Sequence, residues 1–261
     1  MSTPREQLAD LLKKSREDAG HGTQAAFAKR THISRPVISR AENPDQPVPS
    51  PEVLEAYASE TGASPGELED LAKRANGGTP AWFMPYRQAE SEATTLRLWG
   101  PVIVPGLLQT EPYAREVVAA SVRSPARLDE LVSARMERQT VLERVPLIAV
   151  ISARALQIRI GTAAIMADQC GRLAELAEQP DTSIHVVTEE NTGTWATLDI
   201  ASNGGLATVC MSTGLQDVTS TDPETVDDAM RAFDRLLGLA ISRDRSLDFM
   251  RNREAEWKEA A

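Results

Sequence analysis

Residues 32–43 read HISRPVISRAEN, and their side chains suit one kind of chemistry, the recognition of a polyanion. Arg35 and Arg40 each carry a planar guanidinium that can bond two acceptors at once, a geometry that fits phosphate oxygens or the edge of guanine. Ser34 and Ser39 add short hydroxyls. The surrounding charge agrees with this. Residues 5–40 hold eight lysines and arginines (Arg5, Lys13, Lys14, Arg16, Lys29, Arg30, Arg35, Arg40) against four acids, a local charge of +4 on a chain whose formal net charge is −10. A small basic segment on an acidic chain makes a local electrostatic footprint rather than a protein coated in nucleic acid. Chance variation of surface charge is the plain alternative.

Other chemistries find little support. The three histidines, His21, His32 and His185, are not spaced with cysteine or carboxylate as a metal site requires. No glycine-rich phosphate loop or nucleophile elbow occurs, and His185 within SIHVV reads as a strand residue. The expectation is a protein that is not an enzyme and has no metal and no cofactor. Cys170 and Cys210 sit in apolar surroundings and read as reduced core residues. With no run of about 18 apolar residues, and no apolar secretory segment after the charged stretch MSTPREQLADLLKKSRED, a cytoplasmic, nucleoid-associated protein is expected.

Elements must hold these residues in place. A chain of 261 residues is long enough for two ordinary domains. Leu8, Leu11, Leu12 and Ala19 make a helical stripe, which Gly20 and Gly22 stop. Thr23 is placed to cap a second helix, and Val37, Ile38 and Ala41 carry a third. Pro36 bonds nothing through its nitrogen and biases Arg35 away from helical dihedrals, so the third helix is expected to begin at Arg35 or Pro36. Ser50-Pro51-Glu52 opens a fourth and Ser64 a fifth. The reading is a five-helix domain over residues 1–76, a GGTP linker at 77–80, and an α+β domain over 81–261 with a small antiparallel sheet. In that second region helical spacing runs through Tyr86, Ala89, Ala93 and Leu96. Asn203-Gly204 signals a hairpin, and Thr221 with Glu224 a capping box.

Two short helices joined by a three-residue turn can cross at a fixed angle and place the second in the major groove. Ala28 supplies the small residue at the crossing, Ile33 with Ile38 the apolar anchor, and His32 the turn. The stretch resembles the helix-turn-helix of Xre/Cro-type repressors in Gln24, Phe27, Ala28, Ile33, Ser34 and Glu42, with His32 in place of the usual turn glycine. Histidine is among the non-glycine residues enriched in left-handed backbone, so the turn survives at some cost. The resemblance implies double-stranded DNA as a partner. Arg35, Pro36, Ser39 and Arg40 would then face the groove, and Thr23, Gln24, Arg30 and Ser34 would meet phosphates. Arg35 and Arg40 are the chief candidates for reading bases.

The second region resembles the C-terminal domain of actinobacterial WhiJ-like regulators, most closely at VPGLLQTEPYAR (104–115) and at Arg135, Arg138, Gln139 and Leu142. The resemblance implies a domain that dimerises and receives a signal, either from a small BldB-like partner protein or from a small ligand. Glu90, Trp99, Gln109, Tyr113, Arg135 and Arg138 are the candidates for that effector or partner site. Solvated helix faces and core packing are the plainer readings of the same residues. The chain departs from the family at Ser152-Ala153, at TEENTGTW (188–195) and at VCMSTGLQDV (209–218). Two functions follow as expectations. One is a homodimeric transcription regulator, such as a repressor, on a pseudo-palindromic operator. The other is a toxin–antitoxin-like module that sequesters a partner and binds DNA to regulate itself.

Overall fold

Thr3 starts the first helix by a reciprocal cap. Its hydroxyl accepts the Glu6 amide at 3.2 Å, and the Glu6 carboxylate accepts the Thr3 amide at 2.6 Å. The computed structural model describes residues 3–75, 83–122, 124–188, 193, 196–212 and 217–261. The expected linker 77–80 and most of the loop 188–195 lie outside those residues. The chain divides into two units, Met1–Met84 and Pro85–Ala261.

Among the described residues the first unit contains five helices: α1 (Pro4–Asp18), α2 (Gln24–Thr31), α3 (Arg35–Ala41), α4 (Pro51–Thr61) and α5 (Pro65–Ala75). The Thr23 hydroxyl accepts the Ala26 amide at 3.1 Å and caps α2, as its sequence position suggested. α2 ends on His32, at φ 58° and ψ 15°, the one non-glycine residue with positive φ among those described. α3 begins at Arg35 with Pro36 in its first turn, where the missing amide costs no hydrogen bond. At seven residues α3 is too short to hold itself together. Packing holds it instead: Ile38 and Ala41 join Leu8, Leu12, Phe27, Leu54, Tyr57 and Leu68 in one buried cluster. The rings of Phe27 and Tyr57 stand 4.6 Å apart at its centre.

Among the described residues the second unit is built on six strands: β1 (Thr95–Gly100), β2 (Leu147–Ser152), β3 (Thr182–Val187), β4 (Thr197–Asn203), β5 (Leu206–Ser212) and β6 (Asp217–Ser220). They form one sheet in the order β3-β2-β1-β4-β5-β6. β1 with β2 and β2 with β3 pair parallel, and the other pairs are antiparallel. This corrects the expectation of a small antiparallel sheet. Parallel neighbours need long crossovers, and the helices between these strands supply them. The first crossover carries α7 (Glu111–Ala119) and α8 (Pro125–Arg138); the second carries α9 (Ala153–Gln157) and α10 (Ala163–Ala177). The helical spacing that ran to Leu96 also fails: α6 (Met84–Ser91) stops short, and Leu96 belongs to β1, paired with Leu147 and Ala201. The hairpin at Asn203-Gly204 joins β4 to β5 as its sequence indicated, with Gly204 and Gly205 at positive φ.

α11 (Pro223–Leu239) covers one face of the sheet, placing Ala229, Phe233 and Leu236 against Trp99, Val150, Ile200 and Val209. Its cap is Asp222, which accepts the Thr225 amide at 2.9 Å, in place of the expected Thr221–Glu224 box. α12 (Arg243–Glu259) packs on α10 and on β3. The segment entering α12 closes the outer edge of β3: the Ile241 amide donates to the Val186 carbonyl at 2.9 Å, and the Ser246 hydroxyl accepts the Val186 amide at 2.9 Å. Among the described residues no helix is long and apolar enough to cross a membrane.

The backbone at His32 gives a test. A side chain in left-handed backbone costs about 1 kcal/mol, which glycine avoids. His32→Gly is expected to raise the unfolding free energy of the first unit by about 0.5–1 kcal/mol, and His32→Val to lower it by more. Urea unfolding of the two variants beside the parent checks both signs.

Candidate functional site

Four helices of the first unit meet at Glu42, the residue that ends α3. Its carboxylate accepts from Arg16 of α1 through Nε (2.6 Å) and Nη2 (2.9 Å), from Gln24 Nε2 of α2 (2.9 Å) and from the Tyr57 hydroxyl of α4 (2.8 Å). Arg16 also donates to the His21 carbonyl at 2.7 Å, which ties down the glycine turn before α2. Both charges are buried, with side-chain exposures of 4% for Arg16 and 4% for Glu42, so neither is stable without the other. Burial alone would raise Glu42, but the bonds from Arg16, Gln24 and Tyr57 outweigh it and hold the carboxyl below its ordinary value. Arg16 and Tyr57 carried no signal of this kind in the sequence. Glu42 did, as the end of the helix-turn-helix pattern, and Gln24 did, as its first residue.

The network turns the opposite face of α3 outward. Arg35, Pro36, Ser39 and Arg40 are all exposed, while Ile38 and Ala41 are buried. Spacings of one, four and five residues put these four on one side of the helix. Among the described residues, the side chains of Arg35, Ser39 and Arg40 make no hydrogen bond or ion pair, and the Ser34 hydroxyl makes no capping bond. The other phosphate candidates are placed differently. Thr23 is exposed and its hydroxyl keeps its own hydrogen to donate. Gln24 turns its amide inward to Glu42, and Arg30 pairs with Glu60 at 2.8 Å. Of the eight basic residues counted between 5 and 40, Arg5 and Arg16 also point inward, at backbone carbonyls and at Glu42. The basic surface is therefore smaller than the count, and on α3 it consists of Arg35 and Arg40.

The second unit gathers most of its own candidates around the loop 104–110. Gln109 donates to the Val104 carbonyl at 2.7 Å, Gln139 donates to the Gln109 carbonyl at 2.6 Å, and Gln169 donates to the Leu108 carbonyl at 2.8 Å while accepting the Thr110 amide at 2.8 Å. The Tyr113 hydroxyl accepts the Val104 amide at 3.3 Å. Side-chain amides thus do for this buried loop what a neighbouring strand would do for a sheet. Beside it Arg138 grips Glu90 through Nε (2.9 Å) and Nη2 (2.7 Å), and Arg135 donates to Gln109 Oε1 at 2.6 Å. Burial and the neighbouring Arg138 lower Arg135 to about 10. Asp199 of β4, absent from the sequence-based candidates, belongs to the same group. Desolvation and the Glu90 charge push its carboxyl up to about 7 against the pull of Arg138 and Arg135. Trp99 is not part of this group. It packs under α11, and strand alternation puts it on the opposite sheet face from Leu98, the β1 partner of Asp199.

The family described as "Domain of unknown function (DUF5753)" matches residues 83–252, and a family described as "Helix-turn-helix domain" matches residues 7–71. The helix-turn-helix match suggests DNA-binding regulation. No curated protein and no solved structure matches the chain.

Two outcomes follow from the buried charges. Arg16→Met strands the Glu42 carboxylate and is expected to cost about 3–5 kcal/mol, read by denaturant unfolding, whereas Arg30→Met at the exposed pair is expected to cost less than about 1 kcal/mol. Asp199 holds its proton in the folded state above the pH at which the unfolded chain releases it. Its contribution to stability is therefore present near pH 4 and lost as the pH rises toward 7. Asp199→Asn is expected to raise the melting temperature relative to the parent at pH 8, with the gain fading by pH 5. An equal shift at both pH values would reject the assignment.

Proposed function

Because the chain belongs to the family of the domain of unknown function DUF5753, here preceded by a helix-turn-helix domain, we propose that it is a sequence-specific DNA-binding transcription regulator that reads double-stranded DNA through α3. The observation that carries this reading is the outward face of α3, where Arg35, Ser39 and Arg40 are exposed and unengaged on a helix clamped from behind by Glu42. Arginine side chains left free on a rigid element suit bidentate contact with guanine, because the planar fork matches its two acceptors and the backbone that carries it is already fixed. Ser34 and Thr23 stand at the starts of α3 and α2, where hydroxyls and unpaired amides suit phosphate contacts. Pro36 contributes shape and apolar contact only. On this reading the helix-turn-helix is of the Xre/Cro type, the second unit is WhiJ-like, and the chain regulates rather than catalyses.

One such helix reads only a few base pairs, so the regulator acts as a homodimer on a pseudo-palindromic operator. Residues 81–261 receive the signal, from a small partner protein or a small ligand. The partly exposed Arg135, held by Gln109 and without a carboxylate in ion-pair contact among the described residues, supports a place for an acidic group there.

Arg40→Ala is expected to weaken binding to the preferred duplex by about 10- to 100-fold while leaving the melting temperature unchanged. Electrophoretic mobility shifts against the preferred and a scrambled duplex measure it. A variant that keeps its preference for the first duplex would show that α3 does not read bases through Arg40.

A further inference from the structure

Arg5 carries one of the eight positive charges that suggested a polyanion footprint, yet its guanidinium does not face outward. From the first turn of α1 it reaches the far end of α3. Its Nη2 lies 3.1 Å from the Arg40 carbonyl, 3.0 Å from the Ala41 carbonyl and 2.6 Å from the Asn43 carbonyl, and its Nε donates to the Gln46 carbonyl at 2.9 Å. The Arg40 and Ala41 carbonyls are among the last of α3, which have no amide partner within the helix. The Asn43 and Gln46 carbonyls belong to the loop that follows. A single cation therefore ties the end of the helix to the loop, 35 to 41 residues away in sequence, and opposes the negative end of the helix dipole.

This position has a consequence for Arg40. The Arg40 side chain is exposed and makes no bond among the described residues, so its placement depends on its own backbone. Ile38 and the Glu42 network fix α3 from the core side. Backbone amides reach part of the end of α3, since the Arg40 carbonyl accepts the Asn43 amide at 3.2 Å and the Asn43 carbonyl accepts the Gln46 amide at 3.2 Å, and Arg5 adds a side-chain donor to both as well as to the Ala41 and Gln46 carbonyls. A guanidinium can reach several carbonyls from one planar group, which a lysine ammonium cannot match in geometry.

We infer that Arg5 is a positioning residue for base recognition: by holding the Arg40, Ala41, Asn43 and Gln46 carbonyls it sets where the Arg40 guanidinium enters the groove. The inference rests on the reading of α3 as the recognition helix and adds a residue that would touch no DNA.

The test uses the full chain and a randomised duplex library, with base preference scored position by position for the parent and for Arg40→Ala, Arg5→Met and Arg5→Lys. Arg5→Met is expected to lose preference by about tenfold at the same base positions that Arg40→Ala relaxes, and to keep it elsewhere. Arg5→Lys keeps the charge but not the fork, and is expected to relax those positions by an intermediate amount. A uniform loss across all positions would mean that Arg5 acts only through fold stability or bulk charge. An unchanged profile would mean that Arg40 is placed without it. If the parent selects no sequence at all, the reading of α3 itself falls, and the inference with it.

Discussion

The first unit depends on one buried carboxylate. Glu42 takes hydrogen bonds from α1, α2 and α4 while sitting at the end of α3, so a single acidic group fixes the relative positions of four helices. Hydrophobic burial is non-directional and would tolerate some sliding of short helices over one another. A carboxylate with four donors at fixed angles would not. The apolar cluster therefore makes the unit stable, and Glu42 makes its geometry specific. A seven-residue helix gains from this a rigidity that its own hydrogen bonds could not give.

A related arrangement recurs in the second unit. The loop 104–110 has no regular pairing along much of its length, yet it is buried, and three glutamines and a tyrosine satisfy its backbone. The charged group beside it is unevenly matched. Glu90 and Arg138 form a tight pair, Arg135 bonds a neutral amide with no carboxylate among the described residues in ion-pair contact, and Asp199 is raised toward neutrality. Such a group is sensitive to whatever changes its charge or solvation.

Much of the first unit was legible because its signals are local. The Thr23 cap, the proline at the start of α3 and the histidine turn each act within a few residues and were placed from the sequence and the resemblance, whereas the Thr3 cap was not. What could not be read was long-range: that Arg16 and Arg5 turn inward, and that Gln24 meets Glu42. A charge count cannot tell a surface arginine from one that satisfies carbonyls. In the second unit β1 was hidden because Tyr86, Ala89, Ala93 and Leu96 match a helical period across the break at Ser91. The mixed character of the sheet was in principle available from the helices that separate β1, β2 and β3. Glu90, Gln109, Arg135 and Arg138, named together as candidates from the sequence, do lie together, while Trp99, added as one of the chain's few aromatics, sits on the other sheet face.

The edge of β3 bears on how the chain folds as it is made. Its outward amide and carbonyl at Val186 are bonded by Ser246, sixty residues further along the sequence, and by Ile241 just before it. Until that segment emerges and docks, the strand Thr182–Val187 presents unpaired amides and carbonyls beside apolar side chains. The nascent chain thus carries a sticky edge for the time it takes to synthesise the hairpin, β6 and α11, and the arrival of α12 ends its exposure to self-association.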